Sequence, residues 1–230
     1  MINFLARIQK YVGGVALLLL LVGLYLVINA PPDFQQGNSV RIMFIHVPSA
    51  QMALFLYLVM TGASVLYLWK RYETADIIAE AAAPVGAAFS VVTLATGSIW
   101  GKPMWGAWWA WDARLTSMLV LLIIYVGVMA MRSALDEPAK GAKATAILTL
   151  VGAVDLPIIH FSVVWWRTLH QPSSFAGKVK PAIAGPLLTP LLIMALAFAI
   201  MAAYLVILKT KNVADQRRLD ALDSEGTGHV

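Results

Sequence analysis

Residues Leu187–Leu208 read LLTPLLIMALAFAIMAAYLVIL, an uncharged run in which only Thr189 and Tyr204 carry a hydroxyl. A helix rises about 1.5 Å per residue and the hydrocarbon core of a bilayer is about 30 Å thick, so a run of this length crosses a membrane as one helix. Working outward, five more uncharged runs precede it, at approximately Val12–Ile28, Ser49–Trp69, Ala81–Ile99, Thr116–Met131 and Ala144–Val164. Pro31, Pro48, Pro157 and Pro186 mark their ends or kinks. The predicted fold is therefore all-α: a polytopic membrane protein with six transmembrane helices and, as argued below, an external Trp-rich interfacial segment. The first run follows Arg7 and Lys10 as a signal peptide does, but it is long and five others follow, so it reads as an uncleaved anchor.

The whole-chain figures agree. Of 230 residues, 60% are hydrophobic and 13% charged, with a mean hydropathy of +0.76. A soluble domain carries about a quarter charged residues, so that class is excluded. The net charge of +5 does not argue for nucleic acid, because basic residues of a membrane protein gather in cytoplasmic loops. The chain has no cysteine, which removes disulfides, thiolate metal sites, iron–sulfur clusters and thioether-linked haem. The partner that composition implies is the lipid bilayer.

Of the 17 Lys and Arg residues, Arg7, Lys10, Lys70, Arg71, Arg132, Lys140, Lys143, Lys209, Lys211, Arg217 and Arg218 fall in the two tails and the even loops. Arg41, Lys102, Arg114, Arg167, Lys178 and Lys180 fall in the odd loops. This bias predicts that both termini are cytoplasmic and that loops one, three and five face outward. Inverting the orientation would still leave the three odd loops on one side. A division into a membrane domain, 1–208, with a Trp-rich loop at 97–115, and a cytoplasmic tail, 209–230, follows. No internal repeat relates the two halves, which weakens a transporter reading.

Loop three contains Trp100, Trp105, Trp108, Trp109 and Trp111, five of the eight tryptophans in the chain. One or two per helix end would satisfy an aromatic belt. Trp105, Trp108 and Trp109 have the spacing that puts three indoles on one face of a short interfacial helix, a platform suited to a large planar ligand. Gly101, Pro103 and Gly106 let the backbone turn there. Asp112 and Arg114 close the stretch; they read either as a helix start or, for the guanidinium, as a bidentate partner for a ligand carboxylate. Arg41 and Arg167 are further cations of that kind, with a solvated-loop reading beside it.

Two histidines flank this loop in sequence yet share its side of the membrane. His46 lies in Ile45-His46-Val47-Pro48, immediately before span two. His170 lies in Leu169-His170-Gln171, just past span five. Either alone reads as an interfacial polar tip; two together suit the two axial positions of a haem iron, which neutral imidazole commonly fills. His160 falls within the outer end of span five and reads as a satisfied polar group, and His229 lies in the tail. Asp155 is the one acid inside a span and should face other helices. No catalytic centre emerges. A cytochrome b-type electron-transfer subunit is the alternative; it needs His pairs on facing helices, where only His160 comes near.

Trp105-Gly106-Ala107-Trp108-Trp109-Ala110-Trp111-Asp112 resembles the signature of the tryptophan-rich haem-handling proteins of cytochrome c biogenesis. With the chain's size, its six spans and the two His motifs, the chain resembles the haem exporter protein C family of the cytochrome c maturation system from about Asp33 to Gln171. That resemblance implies non-covalently bound haem b as the cofactor, with His46 and His170 as the axial ligands of its iron. It implies that Trp100, Trp105, Trp108, Trp109, Trp111 and Asp112 border the porphyrin; guanidinium chemistry adds Arg114, Arg41 or Arg167 as partners for its propionates. It further implies delivery of haem to a membrane-anchored haem chaperone (protein E), partnership with the A and B subunits of an ATP-binding-cassette complex and the small protein D, and residence in a bacterial inner membrane.

Overall fold

The computed structural model describes residues 2–166, 168–170, 183 and 185–227; Arg167, Gln171, Lys178, Lys180 and His229 lie outside them. Among the described residues the regular structure is helical, apart from an isolated β-bridge between Asp33 and Gly37. The helices are α1 (Ile2–Ile28), α2 (Met43–Lys70), α3 (Glu73–Trp105), α4 (Ala113–Ser133), α5 (Pro138–Gly152), α6 (Asp155–Trp165) and α7 (Gly185–Thr227), with a 3₁₀ turn at Asn38–Ile42 leading directly into α2. Six segments are long and apolar enough to cross a membrane, α5 and α6 forming one of them.

Local chemistry sets the helix ends. Tyr72 is extended ahead of α3, whose first turn holds Glu73 and Asp76, where carboxylates complement the positive end of the helix dipole. Pro138 opens α5, a position where its missing N–H is not needed. The α5–α6 break falls at Ala153 and Val154. Pro157 explains it: proline has no N–H to give the carbonyl four residues back, and its ring crowds that carbonyl, here that of Ala153.

Helix α1 packs against α7, and α2 against α3; α3 sits centrally, touching α2, α4 and α7, while α4 also meets α5 and α6. Lipid tails are as apolar as leucine, so close packing and internal hydrogen bonds hold such helices together. Tyr57 and Tyr125, both fully buried, meet edge-on at 5.1 Å. The Tyr57 hydroxyl donates to the Thr149 carbonyl at 3.0 Å and that of Tyr125 to the Ala53 carbonyl at 2.8 Å, tying α2 to α5 and α4 to α2. Leu17, Leu18, Leu21 and Tyr25 of α1 point outward, as residues that face lipid do.

Two expectations need correction. His46 does not precede span two; it lies in the first turn of α2, which runs through Pro48. No interfacial helix carries Trp105, Trp108 and Trp109: α3 continues to Trp105, Gly106 turns left-handed at φ 78°, and residues 107–112 are irregular. Gly106 donates its N–H to the Lys102 carbonyl, a glycine helix stop that ends the helical spacing between Trp105 and Trp108. Beyond Leu208, α7 runs on without interruption to Thr227.

Candidate functional site

The start of α2, the ends of α3 and α6 and the start of α4 meet at one end of the bundle, and the described parts of the three odd loops are stitched together there. Loop one turns on Asp33, whose Oδ1 accepts from the Gln35 and Gln36 amides at 2.9 Å. That turn presents Gln36 Oε1 to the Trp100 indole N–H at 3.0 Å. Loop three is joined to the segment after α6 through Asp112.

Asp112 uses both oxygens. Its Oδ1 accepts from the Leu115 amide at 2.8 Å and caps α4, satisfying one of the unpaired N–H groups at a helix start. Its Oδ2 lies 2.9 Å from His170 Nδ1 and accepts from the Leu169 amide at 3.3 Å. His170 is 17% and Asp112 8% exposed. Burial pulls the His170 pKa below the ordinary value of 6.5; Asp112 opposes that shift and the positive charge of Arg114 adds to it. The ring is held neutral at physiological pH. The Trp105 indole meets it edge-on with centroids 4.9 Å apart.

His46 is anchored in the same manner. Its Nδ1 lies 3.1 Å from the Thr93 carbonyl and 3.1 Å from Thr96 Oγ1. Since a carbonyl only accepts, Nδ1 carries the proton and Nε2 is the ring's unprotonated nitrogen. Trp100 meets this ring edge-on at 5.6 Å. A Cβ on Gly97 would stand 3.1 Å from His46 Cε1, so glycine there lets the imidazole lie against α3. His46 and His170 are within electrostatic reach of each other and of Arg114.

The structure therefore brings His46, His170, Trp100, Trp105, Asp112 and Arg114 together. The remaining tryptophans are arranged differently. Trp109 and Trp111 meet edge-on at 5.4 Å and border an apolar groove of about 490 Å³ between α3 and α4, walled by Val91, Leu94, Leu119 and Leu122. Trp108 points outward, 58% exposed. Arg41, on the 3₁₀ turn, donates through Nη2 to the Ala30 carbonyl at 3.2 Å. Its Nε and the Trp109 Nε1 are buried and, among the described residues, without a hydrogen-bond partner. His160 is exposed on α6, edge-on to Phe161, and Asp155 is buried at the start of α6. Thr93, Thr96, Gly97 and Gln36 were not anticipated as site residues. A stripe of Ser90, Thr93 and Thr96 at three-residue spacing in an otherwise apolar span, ending beneath the tryptophans, is the sequence signal for the threonines.

These features define the class: a multi-pass helical membrane protein with two anchored imidazoles and clustered indoles at one end. Residues 1–225 match the family model of heme exporter protein C, and the chain belongs to that family. It is 48% identical over 217 residues to a heme exporter protein C of Bradyrhizobium diazoefficiens, covering 94% of this chain and 82% of the relative. Identity to the Escherichia coli protein of that name is 45%, over 80% of this chain and 74% of the relative. A protein from Marchantia polymorpha, described as a putative cytochrome c biosynthesis ccmC-like mitochondrial protein, is 42% identical over 80% of this chain and 78% of its own length.

Proposed function

We propose that this protein carries haem for cytochrome c maturation, holding b-type haem non-covalently at the membrane surface as cargo between His46 and His170. One observation carries the reading: both imidazoles engage the protein through Nδ1, which leaves Nε2 of each as the donor to iron. A histidine ligand generally has its other ring nitrogen tied to a carboxylate or carbonyl, which fixes the tautomer and aims the lone pair. Here Asp112 and Thr93 supply one of each.

The donor set fits haem. Two neutral imidazoles complete six-coordination and block both open positions of the iron. Trp100 and Trp105, edge-on to the two rings, form apolar borders, and Arg114 supplies positive charge for a propionate. Arg41 adds a second cation whose Nε has no protein partner among the described residues. A site at the rim of the bundle leaves one edge of a porphyrin open to a second protein. The recipient in this reading is a membrane-anchored haem chaperone, the protein E of the pathway, with release driven by the A and B subunits and assisted by the small protein D. The tail-bearing end then lies in the cytoplasm of a bacterial inner membrane and the histidine end in the periplasm.

The test is spectroscopic. Purified protein loaded with haem should show a low-spin, six-coordinate spectrum, and His46→Ala or His170→Ala should lose it, with imidazole restoring it. His160→Ala should retain it. A wild-type-like spectrum in both of the first two variants would defeat the assignment.

A further inference from the structure

The two imidazoles have much of their surroundings in common. Each meets one indole edge-on, His46 that of Trp100 at 5.6 Å and His170 that of Trp105 at 4.9 Å. The positive charge of Arg114 acts on both. They differ at Nδ1, the nitrogen turned away from iron in the haem reading.

His170 Nδ1 donates to the Asp112 carboxylate at 2.9 Å, and both side chains are largely shielded from water. A hydrogen bond to an ionised acceptor is roughly twice as strong as one between neutral groups, and exclusion of water strengthens it further. As the Nδ1 proton is drawn toward a carboxylate, electron density moves to Nε2 and raises its basicity toward a metal. The Leu169 amide donates to the same oxygen at 3.3 Å, so Asp112 holds the backbone beside His170 as well as its ring. His46 Nδ1 faces neutral oxygens instead, the Thr93 carbonyl and Thr96 Oγ1, each at 3.1 Å. The Thr96 hydroxyl donates within α3, to the Val92 carbonyl at 2.6 Å and the Thr93 carbonyl at 3.2 Å. It therefore meets His46 as an acceptor, and the one N–H of that ring is divided between two uncharged partners.

We propose that the two axial positions are unequal: Asp112, a positioning residue acting through His170, makes His170 the retaining ligand of haem iron, and His46 is the position at which an incoming donor enters first. The proposal rests on the haem assignment above. In the exchange the bond from His46 Nε2 to iron breaks, its electron pair returns to the imidazole, and the lone pair of the incoming donor forms the new bond. No oxidation state changes and no proton is transferred. Such inequality suits a carrier, because a recipient can bind at the labile position while the other ligand still holds the cargo.

Resonance Raman spectroscopy of the full chain loaded with ferrous haem tests this. In His46→Ala, where His170 alone ligates, the Fe–His stretch should lie at higher frequency than in His170→Ala, where His46 alone ligates. Adding Asp112→Asn should lower the frequency in the first and leave the second unmoved, a difference that loss of helix capping would not produce. Carbon monoxide takes one axial position; on wild type it should give the Fe–C and C–O stretches of the His46→Ala protein treated in the same way. A band kept only by His46→Ala supports the inequality, and one kept only by His170→Ala overturns it. Equal Fe–His frequencies, no response of His46→Ala to Asp112→Asn, or wild-type carbon monoxide stretches matching those of His170→Ala would each overturn the inequality while leaving haem ligation standing. Absence of the band from both variants would overturn the haem assignment and this inference together.

Discussion

Asp112 and His170 are joined by a 2.9 Å contact between Oδ2 and Nδ1, while the other oxygen of the same carboxylate caps α4. One side chain thus fixes both the entry of a transmembrane helix and the orientation of an imidazole on another loop. The two roles separate by substitution. Asp112→Asn keeps an oxygen for the Leu115 amide and removes the negative charge facing His170. It should weaken haem binding about 10–100-fold, the range for losing an outer-sphere partner of a histidine ligand, with little change in Tm. Asp112→Ala should add about 1 kcal/mol of destabilisation from the lost cap. Haem titration and thermal melts of the two variants check this.

Acid should release haem and destabilise the protein over the same range. The folded state holds His170 below the ordinary histidine value of 6.5, so the unfolded chain binds more protons and stability rises with pH through this group. Its contribution is complete above 6.5 and is lost as pH falls from there through the lowered folded value. Haem retention should be flat above that pH and decline below it, as protons compete with iron for the imidazole. A pH series of spectra and melts on wild type and His170→Gln measures it, and the variant should show a shallower acid limb.

Gly97 sets how far the His46 ring can approach α3. An added methyl would stand 3.1 Å from His46 Cε1, a contact that a shift of a few tenths of an ångström relieves, so Gly97→Ala should reduce haem affinity only several-fold. Gly97→Leu should displace the ring and abolish the six-coordinate spectrum. Circular dichroism should remain helical in both, because the position is inside α3.

The tail helix is fastened to α3 by Arg217, which bonds Asp76 and Glu80. Arg217→Gln should cost on the order of 1 kcal/mol, since Arg132 continues to neutralise both acids and the pairs are partly solvated. Faster tryptic cleavage after Lys209, Lys211 or Arg218 is the expected readout, with haem loading unaffected at the far end of the bundle.

The membrane architecture was legible because hydropathy acts over whole spans: the six uncharged runs correspond to the six membrane-length helical segments, α5 and α6 counting as one. Parity then put His46, Trp105 and His170 at one end without any knowledge of packing. Detail that depends on single backbone choices was not legible. The i, i+3, i+4 pattern of Trp105, Trp108 and Trp109 suggests a helix, yet Gly106 adopts φ 78° and separates Trp105, beside His170, from Trp109, which borders a groove. Pro48 reads as a helix boundary, but α2 extends past it in the N-terminal direction because the 3₁₀ turn at Asn38–Ile42 feeds its first turn. The threonine anchors of His46 depend on the crossing of α2 over α3, a relation between residues 47 positions apart that no local pattern encodes.

The length of α7 carries a final consequence. Its 43 residues, at about 1.5 Å each, extend to roughly 65 Å, about twice the thickness of the hydrocarbon core. Some half of that rod stands clear of the lipid as a stiff outrigger. A soluble protein approaching from that side meets fixed geometry up to about 3 nm from the bilayer, so the reach of any encounter there is set by helix rise and not by the statistics of a loose chain.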